Sequence, residues 1–233
     1  MTIKKVVQGL IVTAALCLST TSVRAQGYRL FIMGADSSLS DKRSFTEGYL
    51  PYTSGYAGGG KVIAGLEVPL DKIFGIEGSY GFGQNNLEIT NQNTNPWTVK
   101  GYGVRNSRFS GDIVGHVPGD WRGIRAYGVV GVEYDLFSPT SSARSVAASQ
   151  GFAFAPSAKL ASQAKPGFNA GGGIDYKVAS KVDLRLDVRY HTFGSPTYGL
   201  PQAASSASSA FFPISGSAHN IEYSIGLVYR FGK

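Results

Sequence analysis

Cysteine is all but absent: the chain has one in 233 residues, Cys17. It lies in the opening segment MTIKKVVQGLIVTAALCLSTTSVRAQ, where Lys4 and Lys5 precede an apolar run from Val6 to Leu18 and cleavage-type positions follow at Val23 and Ala25. That layout predicts a secretory signal peptide over 1–25 and an exported domain over 26–233. The exported part would then hold no thiol, which excludes disulfides, a cysteine nucleophile and a thiolate-bound metal. Leu16, directly before Cys17, is not the small residue that a lipid-anchor signal wants. Long apolar runs are also missing. Nothing after Ala25 reaches the roughly 18 residues of a spanning helix, so any membrane crossing must be made by strands. A basic cluster is lacking as well. The formal charge is +7, and removal of Lys4, Lys5 and Arg24 with the leader leaves 19 cationic against 15 acidic side chains, interspersed in sequence. This gives no footprint for nucleic acid. The three histidines, His116, His191 and His219, stand on separate segments without metal-ligand spacing.

What is present is alternation. In KVDLRLDVRYH, Lys181 to His191, ionisable residues occupy one parity and Val182, Leu184, Leu186, Val188 and Tyr190 the other. Period two over this length is a β-strand with one apolar and one ionic face. Eight such runs fall at about 28–36, 55–68, 73–83, 99–117, 123–137, 167–178, 181–193 and 219–231. The second, fourth and sixth connections are turn-like, whereas the first, third, fifth and seventh (37–54, 84–98, 138–166 and 194–218) are long. Long and short connections thus sort to opposite ends, as in an eight-stranded antiparallel up-and-down transmembrane β-barrel. Aromatics collect near both strand ends. Tyr28, Phe74, Trp121, Tyr176, Tyr229 and Phe231 fall toward the short turns, and Tyr56, Tyr80, Phe82, Phe109, Tyr134, Phe168, Tyr190 and Tyr223 toward the long loops, which matches two interfacial girdles.

In such a barrel the ionic parity must face inward. A Lys or Arg at mid-bilayer costs about 2–4 kcal/mol on the lipid side, so five or six ionisable groups on one strand would cost on the order of 10 kcal/mol. The expected lumen charges are Lys61, Glu67, Glu77, Arg108, Asp112, Arg125, Glu133, Asp175, Lys177, Asp183, Arg185, Asp187, Arg189, Glu222 and Arg230. Their mixed sign predicts an internal ion-pair lattice, and eight strands enclose only enough room for side chains to fill.

These runs, the loop asymmetry and the closing segment NIEYSIGLVYRF, Asn220 to Phe231, resemble the small outer-membrane β-barrels of the OmpA-like, OmpX-like and opacity-protein kind. The closing segment looks like the C-terminal signal read by the barrel-assembly machinery, with the departure that Gly232 and Lys233 follow the terminal aromatic. The resemblance implies a monomer in the outer membrane of a Gram-negative-type cell, in contact with its lipid and lipopolysaccharide, and without the peptidoglycan-binding domain that follows the OmpA barrel.

Candidate chemistry is sparse. GYAGGG (55–60) and AGGGID (170–175) lack the Lys-Ser/Thr ending of a phosphate loop and read as close backbone approach. RYHTFGS, Arg189 to Ser195, has a passing likeness to a lipid A deacylase segment, but Phe193 stands in the nucleophile's place and no Asn follows. His191 is expected at the outer rim, and neither a catalytic residue nor a cofactor site is expected. Within the Ala/Ser-rich loops 138–166 and 194–218, Phe152, Phe154, Phe211 and Phe212 are candidate contacts for a surface partner or the outer-leaflet headgroups. The functional expectation is a non-enzymatic envelope or adhesion-like protein with a closed lumen. Two alternatives stand beside it: a narrow porin, if inward glycines such as Gly65, Gly131 and Gly173 leave a water-filled gap, and a lipid A modifying enzyme.

Overall fold

Residues 182–194 form one uninterrupted strand in which Asp183, Arg185, Asp187, Arg189 and His191 are buried while Leu186, Val188 and Tyr190 are exposed. A computed structural model describes residues 27–39, 43–47, 50–91, 97–141, 160–199 and 216–232. The expected signal peptide and the four loop phenylalanines at 152, 154, 211 and 212 lie outside them.

The strands are β1 (Arg29–Leu39), β2 (Arg43–Glu47), β3 (Leu50–Ala57), β4 (Gly59–Pro69), β5 (Phe74–Asn91), β6 (Trp97–His116), β7 (Ile124–Pro139), β8 (Gln163–Lys177), β9 (Val182–Gly194) and β10 (Ser217–Arg230). All pairings are antiparallel. Each neighbour in the ring β1-β4-β5-β6-β7-β8-β9-β10 is hydrogen-bonded, and β1 closes on β10 from Arg29 opposite Arg230 to Leu39 opposite Asn220. This is a closed eight-stranded antiparallel barrel. Past Gly58 the line of β4 is taken up by β3, which pairs with the upper part of β5, and β2 adds a hairpin on β3 outside the ring.

Two stretches read as long connections are therefore largely strand. The stretch 37–54 contains the β2–β3 hairpin, and 84–98 is mostly the continuation of β5 and β6, which pair from Phe74–Gly115 up to Asn91–Trp97. Both sequences are polar on either parity. Beyond the lipid neither face of a strand has to be apolar, so the alternation that marks a membrane strand fades while the hydrogen-bonded ladder continues.

The short turns are built by local side-chain bonds. Asp71 Oδ1 accepts the backbone N–H groups of Ile73 and Phe74, each at 2.7 Å, and these bonds hold its carboxyl below the ordinary aspartate value. Asp120 accepts the N–H of Gly123 in the next turn, where Gly119, Arg122 and Gly123 all take positive φ.

The outer wall carries bare aliphatic side chains, among them Ile32, Val62, Ile113, Val130 and Ile225, all more than half exposed. A surface of this kind is at rest only against hydrocarbon. The aromatics toward the short turns, and Tyr80, Phe82, Phe109, Tyr134, Phe168, Tyr190 and Tyr223 toward the loops, are exposed on the same wall. Among the described residues no helix is long and apolar enough to cross a membrane.

Candidate functional site

Strand parity delivers the ionic side chains to the barrel interior, where they meet in three levels. At the short-turn end, Arg29 on β1 donates through Nη1 to both oxygens of Glu67 on β4 (3.1 and 3.0 Å) and through Nη2 to Asp175 on β8. His116 Nε2 lies 2.7 Å from Glu67 Oε1. Asp183 is shared by three guanidinium groups, those of Arg230 at 2.9 Å, Arg125 at 3.2 Å and Arg29 at 3.6 Å.

The middle level is organised by Arg185. Its Nε donates to Asp175 (2.8 Å), Nη1 to Glu77 (3.0 Å) and Nη2 to Glu67 (3.1 Å), so one guanidinium ties β9 to β8, β5 and β4 across the lumen. The same group lies 4.5 Å from the ring centre of Tyr127 and 5.2 Å from that of Phe31. Two repeats of the pleat further on, Arg189 donates to Asp187 (2.9 Å), Asp112 (3.1 Å) and Glu77 (2.8 Å). Tyr127 donates its hydroxyl to Asp187, and Asn169 its amide to Asp112.

Toward the long loops, Arg108 donates to Asp135 (3.0 Å) and Glu222 (3.1 Å), and Lys61 donates to Glu222 (2.7 Å). His191 stands between Glu133, 2.6 Å from Nδ1, and Arg108, 3.0 Å from Nε2. Beyond this level apolar and amide side chains share the interior: Val104, Phe137, Phe193 and Ala218 are buried alongside Asn106 and Asn220, with the Phe137 and Phe193 rings 5.2 Å apart, and Leu160 and Tyr198 are buried at the same end. Gln163 Oε1 fixes the adjoining loop by accepting the N–H groups of Thr197 and Tyr198.

Of the side chains assigned to the lumen from sequence, Lys61, Glu67, Glu77, Arg108, Asp112, Glu133, Asp175, Asp183, Arg185, Asp187, Arg189 and Glu222 are buried in these levels, and Arg125 and Arg230 are half-buried at the short-turn mouth. Lys177 departs from them. It is the last residue of β8, its backbone already turns to Gly123 O, and its side chain is exposed to water. His191 is buried inside the lumen rather than placed at the rim, because it shares the parity of Arg185 and Arg189. Sequence reading passed over Arg29, Asp135, Tyr127 and the apolar lumen residues Phe31, Met33, Ile63 and Val228, which pack together on one side of the interior. Arg29 and Asp135 carried a signal, since they stand on the inward parity of their strands. Phe31 stands on the same inward parity as Arg29, but its apolar chemistry argues for the lipid side, so the two signals conflict there.

The inward glycines do not open a gap. The space above Gly65 is taken by the Phe31 ring, that above Gly131 by the Asp112 carboxylate, and that above Gly173 by the Tyr127 hydroxyl. Among the described residues no group of three or more His, Asp or Glu is arranged to hold a metal ion.

Residues 11–231 match the family described as outer membrane protein beta-barrel domain. Solved structures of similar fold include the outer membrane protein OprG from Pseudomonas aeruginosa, 14% identical, covering 89% of this chain and 97% of that one with a TM-score of 0.59. Neisserial surface protein A is 12% identical, covering 88% of this chain and 96% of that one with a TM-score of 0.49. At such identity the likeness is one of fold alone. No curated protein matches the sequence. A closed antiparallel barrel with a bare aliphatic wall, an ionic interior and a family match over nearly its whole length make this chain an outer-membrane protein that belongs to the outer membrane protein beta-barrel domain family.

Proposed function

We propose that the chain is a non-catalytic outer-membrane protein whose sealed barrel serves as a rigid scaffold for long surface loops, in an envelope-structural or surface-interaction role. The observation that carries this reading is the cross-lumen lattice centred on Arg185, which ties four strands through one fully buried guanidinium and leaves the glycine positions filled by neighbouring side chains. Moving a solute through it would require breaking several buried ion pairs at once, each costing about 3–5 kcal/mol when one partner is left alone. The packing of Val104, Phe137, Phe193 and Ala218 beside the buried Asn106 and Asn220 supports the same reading, because these side chains fill the interior between the loops and the ionic levels.

The deciding experiment is single-channel recording of the purified full chain in planar bilayers. No steady conductance is expected. Reproducible openings of fixed size would replace the scaffold with a narrow porin. Mass analysis of lipid A from cells with and without the protein tests the non-catalytic part, and a reproducible change in acylation would overturn it.

A further inference from the structure

A cavity of about 340 Å³ opens at the short-turn mouth of the barrel, beneath the ends of β1, β4, β6, β7 and β10. Its wall presents five cationic side chains, Arg29, Lys72, Arg125, Lys181 and Arg230, against the carboxylates of Glu67 and Asp71. Those two acids are already engaged. Asp71 caps the β4–β5 turn through the N–H groups of Ile73 and Phe74, and Glu67 is held by Arg29, Arg185 and His116. Just inside, Arg230 and Arg125 share the carboxylate of Asp183 at 2.9 and 3.2 Å, and Arg29, already paired with Glu67 and Asp175, approaches it at 3.6 Å.

The donors point the same way. The Arg29 side chain is only 6% exposed, yet its Nε has no partner among the described residues, and the same is true of the buried Arg230 Nε. Buried donors of this kind are normally paired. Deeper in the lumen Arg185 and Arg189 spend all three of their nitrogens on carboxylates, whereas Arg108 leaves its Nη2 without a partner among the described residues. Planar guanidinium groups lining one cavity suit carboxylate or phosphate oxygens, which accept in a fork geometry.

We propose that this vestibule is a binding site for a small multivalent oxyanion, a carboxylate- or phosphate-bearing solute of the periplasmic side, held by Arg29, Arg125 and Arg230. The site does not depend on whether the lumen conducts, since it opens at the short-turn mouth and binding is read without any current.

The test uses the full chain refolded in detergent micelles and isothermal titration with two probes, citrate for the carboxylate source and pyrophosphate for the phosphate source, with acetate as a monovalent comparison. Saturable binding of citrate or pyrophosphate at one site per chain is expected, tighter than acetate and weakening as salt is raised. The probe that binds identifies the source. In the Arg125→Gln/Arg230→Gln double variant the affinity is expected to fall about tenfold or more. Both residues are half-exposed at the mouth, and a retained heat-dependent shift in gel mobility shows that the variant is folded. Arg230→Gln alone serves if the double variant is not. Lys177→Gln removes a charge at the same end but outside the cavity, and its affinity is expected to match the parent. Absence of saturable binding with both probes, unchanged affinity in the folded arginine variants, or an equal loss in Lys177→Gln would each overturn the proposal.

Discussion

Arg185 and Leu186 are consecutive in the chain and lie on opposite sides of the barrel wall, the first 0% exposed among carboxylates and the second 42% exposed on the aliphatic outer surface. With Cys17, the one cysteine of the chain, replaced by serine, this relationship can be read chemically. In folded protein in liposomes, Leu186→Cys is expected to react with a lipid-soluble thiol reagent and to resist a charged one, while Arg185→Cys reacts poorly with both. Ser162→Cys, exposed beyond the long-loop end of β8, is the water-accessible control. Ready labelling of Arg185→Cys by the charged reagent would mean a wet lumen. A Leu186→Cys thiol inert to both reagents would remove the membrane wall.

Arg185→Met leaves Glu67, Glu77 and Asp175 without their shared donor. Breaking one side of a buried ionic network costs about 3–5 kcal/mol. The urea midpoint for unfolding from detergent is expected to drop accordingly, whereas Lys177→Met, at an exposed site, stays within about 0.5 kcal/mol of the parent. Equal effects would mean that the central guanidinium is not structural.

Gly131→Ala and Gly111→Ala separate the two faces of the wall. A methyl at Gly131 collides with Asp112 and with the backbone of Gly111, while nothing lies within 4 Å of one at Gly111. Overpacking typically costs about 1–3 kcal/mol, so Gly131→Ala is expected to destabilise by that amount and Gly111→Ala to be neutral. The same unfolding measurement checks both, and a neutral Gly131→Ala would show that the lumen has spare room there.

Asp71 gives a pH signature outside the membrane. Its carboxylate accepts two backbone N–H groups, which depress its pKa in the folded chain. A depressed carboxylate contributes stability above its unfolded pKa and loses that contribution as pH falls through the folded value. The stability gap between the parent and Asp71→Ala is therefore expected at neutral pH and to close on acidification. A gap that widens in acid would contradict the capping role.

Closure predicts a simple gel result. With every membrane strand paired on both sides and no free edge in the ring, unboiled protein in SDS is expected to migrate differently from boiled protein. Identical mobility would be incompatible with a closed barrel.

The alternation in KVDLRLDVRYH determined by itself that β9 has an ionic and an apolar face, and the eight runs with lopsided connections determined the barrel, because period two and the cost of a charge in hydrocarbon leave one orientation open. The polar extensions of β5 and β6, and the β2–β3 hairpin, were not legible, since strands beyond the lipid carry no parity rule for a reader to find. Parity likewise sends Arg185, His191 and Phe31 inward but says nothing of partners. Which carboxylates meet Arg185 depends on the stagger between strands far apart in sequence, with Glu67 118 residues and Glu77 108 residues away. Only the closed ring fixes that stagger. The tertiary structure alone therefore placed Phe31 over Gly65, seated His191 between Glu133 and Arg108, left Lys177 in water, and gathered three arginines around Asp183 at the mouth. Each of these depends on what stands beside or opposite a residue in the closed ring, and a one-dimensional pattern records only which face a residue takes.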